Sequence, residues 1–344
     1  MPRYASNAQQ FRELISSRQQ ATKLEICGLP LPLFVYSYSS LGFPDLAERY
    51  RATRDIPPIQ LLSLHDLHHQ LSNQEILTDS EFTATIRFLD SGIYEAEGLT
   101  DREPEQNQGI QPIWSKDLYV ESASMFGHKG DVIVSYDDRS LSIDNQIKQG
   151  LALFERIEQQ GIIRNLLLHP NGASPESVAQ AISELAPNID IIGLPEKEIG
   201  FPWFIAASYI HQLRLTLDKL IGRYVPIHLF GCFDPQTIAH LFFAGADIFD
   251  GLAWMRYYFH NGHAFYSREF EYTTPFEQSL EPWEVANNLL RHNVEELERL
   301  RADLRYTVLT RDVSQFEECL ENLKAFISTT VLQRNAAHTQ HEIA

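Results

Sequence analysis

The chain predicts an α/β fold, a (β/α)8 barrel of the TIM type with extra helices after the last strand. Three observations carry this. Eight short apolar runs bounded by polar or turn residues are spread along the sequence, and amphipathic stretches with helical spacing lie between several of them. That alternation is the rhythm of parallel strands joined by crossover helices, and eight strands close a barrel. The 344 residues, 44% of them hydrophobic, suffice for one such domain.

In chain order the predicted strands are Leu33–Tyr38, Ile59–Leu64, Thr85–Leu89, Val132–Tyr136, Asn165–Leu168, Ile189–Ile192, Ile227–Phe230 and Ala246–Phe249. Helices are expected over 144–160, 174–186, 203–222 and 235–244, the last with Asp234 as N-cap and Pro235 in its first position. Two more, over 281–304 and 311–334, follow the last strand and either pack around the barrel or form a dimer surface. The stretch 97–117, with Glu97, Asp101, Arg102, Glu103, Pro104, Glu105 and Gln106, reads as a polar surface loop and a candidate lid. Residues 1–335 read as one barrel domain and 336–344 as a flexible polar tail.

The formal charge of −18 argues against a chain that grips a phosphate backbone unaided, since such proteins concentrate Lys and Arg on the contact. Cys27, Cys232 and Cys319 lie too far apart in sequence to suggest a disulfide framework or a thiolate metal cluster. No run of about eighteen apolar residues appears, and Met1 to Asn7 lacks a signal-peptide core, so a soluble cytoplasmic protein without membrane contact is expected.

In a barrel of this type functional groups gather at the carboxyl ends of the strands. Those ends carry Asp90-Ser91-Gly92-Ile93-Tyr94-Glu95, Asp137-Asp138-Arg139, His169-Pro170-Asn171-Gly172, Gly193-Leu194 and Asp250-Gly251. Taken singly, Asp-Ser-Gly and Pro-Asn-Gly are ordinary turn sequences and the Asp137 stretch is an ordinary acidic turn. Their order across four strand ends, all upstream of a fifth carboxylate-bearing end, is more specific.

The run 226–262 resembles the catalytic segment of tRNA-guanine transglycosylases, in which Gly-x-Asp-x-Phe-Asp is followed six residues later by Arg and then by a His-Gly or Asn-Gly pair. The resemblance, spanning roughly 85–265, implies Asp250 as nucleophile and Arg256 as its downstream partner. The Asp90 segment is similar to the family's Asp-Ser-Gly-Gly-(Phe/Tyr)-Gln, with Ile93 for the second Gly and Glu95 for Gln. It implies Asp90 as acid/base and Tyr94 as a stacking aromatic. Asp137 falls on the aspartate that reads the purine, although Arg139 stands where the family has Cys. His169 or Asn171 occupies the place of a purine-binding Gln. Gly193 and Leu194 match a Gly-Gly-Leu whose backbone contacts the base edge. Glu196 and Glu198 both lie where the family has a glutamate near the 7-substituent, and Glu196 is carried as the site residue.

The chemistry suits these residue types. Exchange of a base at C1′ with retention needs a carboxylate nucleophile and a covalent glycosyl intermediate. A second carboxyl with a raised pKa manages protons, and a third accepts from N1–H and the exocyclic amine of a guanine-like edge.

The family's Cys-x-Cys-x-x-Cys zinc site has no counterpart, because no cysteine lies between Cys232 and Cys319. His260, His263 and His292 are expected to be ordinary histidines, with no metal and no cofactor. Together with the acidity, this implies a divergent member that resembles DNA 7-deazaguanine transglycosylases or antiviral-defence-associated relatives more than the housekeeping tRNA enzyme. The implied partners are a guanine or 7-deazaguanine base, a DNA or RNA acceptor, and a second copy or a heteromeric subunit. A non-catalytic 7-deazapurine-binding subunit that recognises a modified base or base–protein conjugate is the alternative. A third option is a metal-dependent hydrolase using His65, His68 and His69 beside Asp66; a surface helix start is the simpler reading of that cluster.

Overall fold

Pleating sorts the strand residues between two apolar regions, and the sorting sets which side chains reach the site. The computed structural model describes residues 11–41, 46, 50, 53–69, 86–96, 114–273 and 281–327. A short antiparallel hairpin, β1 (Glu25–Ile26) and β2 (Leu29–Pro30), precedes eight parallel strands: β3 (Leu33–Tyr38), β4 (Ile59–Ser63), β5 (Ile86–Asp90), β6 (Val132–Val134), β7 (Ile163–Leu167), β8 (Ile191–Pro195), β9 (Ile227–Phe230) and β10 (Ile248–Gly251). They close as β10-β3-β4-β5-β6-β7-β8-β9, with β10 pairing β3 in the register Ile248↔Leu33. The predicted (β/α)8 barrel is therefore the architecture.

Leu33, Val35, Ile59, Leu61, Phe88, Val132, Ile191 and Ile248 fill the barrel interior, and Ile26 and Leu31 add the hairpin to it. Alternate residues such as Phe34, Leu62, Leu89, Ile133, Ile192 and Phe249 face outward and pack with the helices, as a period of two requires. Phe34, Tyr36 and Tyr38 make edge contacts with Phe233 and Trp254 on this outer side, at ring separations of 5.3–6.3 Å.

The outer helices start where capping chemistry places them. Ser115, Ser174 and Asp234 accept from the backbone N–H of Leu118, Ser177 and Thr237, and Pro175 and Pro235 open their helices. Glu281 and Glu284 form a reciprocal capping box at the start of the long helix Pro282–Thr310.

The predicted helix at 235–244 is found as Pro235–Ala244, and 203–222 as Trp203–Leu220. The helix expected over 144–160 stops at Phe154, and the one expected over 281–304 runs on to Thr310. Over 311–334 the described helix covers 317–327 and the remainder lies outside the described residues. So do 97–113 of the expected loop, while Lys116 already opens the helix Lys116–Phe126; the expected tail 336–344 is outside as well.

Several strand bounds move. Leu64 starts the helix Leu64–His69 instead of ending β4, β6 stops at Val134, and β7, β8 and β10 begin at Ile163, Ile191 and Ile248. Apolar runs mark a strand's middle, whereas its ends follow the neighbour's hydrogen-bonding register. One consequence matters for the site: Asp90 and Asp250 lie within the ladders, paired with Ser63 and Val35.

At the opposite end of the barrel a buried charge network fixes the first helix. Asp247 pairs with Arg18 of the helix Arg12–Ala21 and with Arg214 at 3.1 Å, and accepts from the Tyr224 hydroxyl at 2.8 Å and Ile227 N–H at 2.8 Å. All four side chains are buried. Among the described residues no helix is long and apolar enough to cross a membrane.

Candidate functional site

Because Phe88 and Ile248 face the barrel interior, the residues two positions on, Asp90 and Asp250, project from the same face at the carboxyl-end mouth. Asp250 is buried and held from two sides: its Oδ2 accepts from Ser37 Oγ at 2.7 Å and its Oδ1 from Gly231 N–H at 3.0 Å. Ser37 reaches it by the same pleat, two residues beyond Val35. Gly231 adopts φ +77, the left-handed conformation that glycine accepts without strain, and this orients its N–H.

Below Asp250 lies His228, fully buried, with Nε2 3.5 Å from Asp250 Oδ1. Asn165 Nδ2 donates to His228 Nδ1 at 2.7 Å, which leaves the ring proton on Nε2, facing the carboxylate. Phe88 and Phe230 flank the imidazole at 5.4 and 4.0 Å. Gly193 makes room for this layer, since a Cβ there would lie 2.6 Å from Phe230 Cε2.

Asp90 opens the Asp-Ser-Gly turn. Gly92 has φ +82, and an added Cβ would stand 2.6 Å from His65 Cβ and 2.7 Å from its backbone nitrogen, so only glycine fits. Ser91 Oγ donates to Asp137 Oδ1 at 2.6 Å, tying the ends of β5 and β6 together. Burial pushes the Asp90 carboxyl well above its ordinary range, and the charges of Glu95, Asp137 and Asp250 push it further. The three aspartates that the sequence singled out thus share one electrostatic environment.

Asp137 has both oxygens engaged, Oδ1 by Ser91 and Oδ2 by His169 Nε2 at 3.0 Å. His169 Nδ1 meets Glu198 Oε1 at 2.8 Å, so the imidazole bridges two carboxylates. Burial opposes the cation, but the hydrogen bonds and charges of Asp137 and Glu198 outweigh it and hold His169 at about 9. Gln146 fixes the backbone here, its Oε1 accepting His169 N–H at 2.8 Å and its Nε2 donating to His169 O at 3.0 Å.

A neighbouring layer adds Glu95, which accepts from Ser39 Oγ at 2.5 Å. Burial raises its pKa, the charge of Asp66 adds to the effect, and it titrates at about 7 even though Ser39 and Ser63 donate to it. Asp66 in turn accepts from the Ser40 N–H and hydroxyl at 2.8 and 2.5 Å.

The remaining predicted residues fall around this centre. Tyr94 is partly buried on the single turn Ile93–Ala96, directly beside Glu95. Arg256 is exposed at the end of the short helix Ala253–Arg256, which Trp254 anchors by donating from Nε1 to Ser37 O at 3.1 Å. The side chain of Leu194 packs outward in the helix-facing core, leaving only its backbone in the β8 strand end. Of the two glutamates, Glu198 reaches His169, whereas Glu196 has its pKa raised by burial and by Asp234 against the pull of Lys197. Asn171 is not gathered with the aspartates: it is exposed, at φ +51, and donates from Nδ2 to Arg139 O at 3.0 Å.

The sequence reasoning missed Ser37, Gly231, His228, Asn165 and Gln146. A signal existed for the first: Ser37 follows Leu33 and Val35 at strand spacing. His228 looked like one polar residue in an apolar strand, and no local pattern couples it to Asn165.

His65, His68 and His69 pack edge-on around Trp114 at ring separations of 5.4–5.9 Å, and His68 Nδ1 meets Ser122 Oγ at 3.0 Å. Among the described residues they do not bring three metal-ligating atoms together. His260, His292 and Glu296 do, with ligand atoms all within 4.8 Å of one another. A groove of about 730 Å³ includes Glu296 of that triad and is lined also by Trp203, His240, Asn261 and Phe316, with none of Asp90, Asp137 and Asp250 in its wall.

The mouth therefore presents an ionisable carboxylate held by two donors, a carboxyl with a raised pKa, and a third carboxylate ordered by a cationic imidazole. Such a set can form and break a glycosyl ester while moving a proton on the leaving group. No protein-family model and no curated protein matches this chain.

Proposed function

We propose that this protein is a base-exchange transglycosylase that replaces guanine by a 7-deazaguanine in DNA or RNA through an aspartyl-glycosyl intermediate. One observation carries the proposal: Asp90, Asp137 and Asp250 meet at a single barrel mouth, with Asp250 oriented by Ser37 and Gly231 and the Asp90 carboxyl held towards its protonated form.

In this reading Asp250 attacks C1′, and the electron pair of the breaking C1′–N bond goes to the departing base, which takes a proton from Asp90. The incoming base then loses its proton to Asp90 as its nitrogen displaces Asp250 from C1′. Each displacement inverts C1′, so the two together retain its configuration. Asp137 reads the base edge, and His169 keeps it oriented. Placement of the chemistry in DNA modification or phage defence rests on the acidity of the chain and on the lost cysteine cluster.

A second reading, a 7-deazapurine-binding subunit without turnover, is favoured by the pairing of both Asp137 oxygens within the protein and by the charge of −18. Labelled guanine and 7-deazaguanines offered with tRNA and with duplex DNA separate the two. Incorporation into one polymer by the wild type, lost in Asp250→Asn, supports exchange and names the acceptor. Binding of the free base with no incorporation into either polymer supports the subunit.

A further inference from the structure

We infer that His260, His292 and Glu296 form a zinc site that pins the hairpin after the last barrel strand to the long C-terminal helix. The hairpin is β11 (Tyr257–His260) and β12 (His263–Tyr266), turning through Asn261 and Gly262 at φ +50 and +78. His292 and Glu296, four residues apart within Pro282–Thr310, share one helix face, and that face meets the end of β11 where His260 stands. Their ligand atoms already lie within 4.8 Å of one another. Atoms bound to one tetrahedral zinc at about 2.0–2.1 Å stand roughly 3.4 Å apart, so a small rotation of the exposed His260 side chain closes the set.

Bonds outside the ligand set orient His292 and Glu296, while Asn261 Nδ2 meets His260 Nε2 at 3.0 Å, a contact that gives way as His260 turns to the ion. His292 Nε2 donates to Phe259 O at 2.8 Å, which puts its proton there and leaves Nδ1 with a lone pair. A backbone carbonyl in this role is the usual second partner of a metal-binding imidazole. Glu296 Oε2 accepts from Asn261 N–H at 3.0 Å, so the carboxylate is already turned to the hairpin, while Arg299 holds Oε1 at 2.5 Å. The His260 and His292 rings lie 28° from parallel with centroids 6.2 Å apart. Two neutral imidazoles and one carboxylate suit a borderline divalent ion of zinc type, and a water fills the fourth position.

The inference does not rest on the base-exchange proposal, because no ligand belongs to the barrel mouth. Its test is zinc uptake by the full chain, stripped with a chelator and titrated with zinc chloride, with cobalt(II) as a visible probe of coordination number. His260→Asn and Glu296→Gln are the variants; His260 is exposed, so its replacement leaves the core intact, and metal-free melting curves verify the fold of both. The expected result is one zinc per wild-type chain, a four-coordinate cobalt(II) spectrum, and a melting temperature that rises with zinc. Both variants then bind at least tenfold more weakly and lose the thermal shift. No stoichiometric uptake by the wild type overturns the inference. Wild-type affinity in either variant also overturns it, since the ion then sits elsewhere, for example near His65, His68 and His69.

Discussion

The imidazole of His228 presents Nε2 to Asp250 Oδ1 at 3.5 Å, and Asn165, two strands away, decides which ring nitrogen carries the proton. At that distance the contact is an electrostatic restraint on the carboxylate more than a full hydrogen bond. His228→Phe keeps a flat ring among Phe88 and Phe230 but removes the N–H. The proposed base exchange is expected to fall about tenfold, and stability by about 1–3 kcal/mol, because the Asn165 amide is left buried without its partner. Adding Asn165→Leu to that variant should restore most of the stability and none of the activity. Denaturant titration beside steady-state kinetics reads both.

Asp250 and Ser37 make unequal demands. Asp250→Asn removes the proposed nucleophile and, under the proposed function, is expected to lower exchange by at least about a thousandfold with a nearly unchanged melting curve. Ser37→Ala removes one of two donors and leaves Gly231 in place, for an expected loss of about tenfold in kcat. Trapping of a covalent glycosyl-protein species by denaturing electrophoresis should succeed with wild type and fail with Asp250→Asn.

The His169 bridge gives stability a pH dependence of defined sign. Its folded-state pKa of about 9 stands above the unfolded value, so the folded state binds the proton more tightly. The contribution is complete below about pH 6.5 and is lost as pH rises through about 9, with a size on the order of 3 kcal/mol. Glu95, raised to about 7, adds a loss of the same sign at lower pH, from its ordinary value up to about 7. Unfolding free energies between pH 6.5 and 9.5 should fall for wild type and change far less for His169→Gln.

Asp247 neutralises Arg18 and Arg214 where water cannot reach them. Asp247→Asn leaves the buried Arg18 without a counter-charge and Arg214 with only the more exposed Asp218 at 3.2 Å, and a loss of about 3–5 kcal/mol is expected by urea unfolding. This end of the barrel lies opposite the mouth, so the activity of whatever fraction remains folded should be unchanged.

Gly92→Ala combines a left-handed φ with a contact into the His65 backbone, neither of which a methyl group can relieve locally. A cost of at least about 2 kcal/mol is expected. The displaced turn should also release Ser91 from Asp137, so activity should fall further than for Ser91→Ala. A melting curve and a kinetic comparison of the two variants check this.

The sequence by itself determined the barrel and which carboxylates stand at its strand ends, where the candidate site lies. Apolar runs alternating with amphipathic helices, Asp234-Pro235 at a helix start, and carboxylates at strand ends are local patterns, and local sterics and burial enforce them wherever they occur. Asp90, Asp137 and Asp250 were legible for that reason. The tertiary structure decided what those carboxylates touch. Ser37 with Asp250 and His228 with Asn165 are separated by 213 and 63 residues, and only closure of β10 onto β3 and the common interior of β7 and β9 brings them together. It also turned Asn171 away to a neighbouring loop and drew His260, His292 and Glu296 to one point. Such pairings depend on strand register and helix rotation across the whole barrel, which no window of the sequence encodes, because each is set by partners distant in the chain.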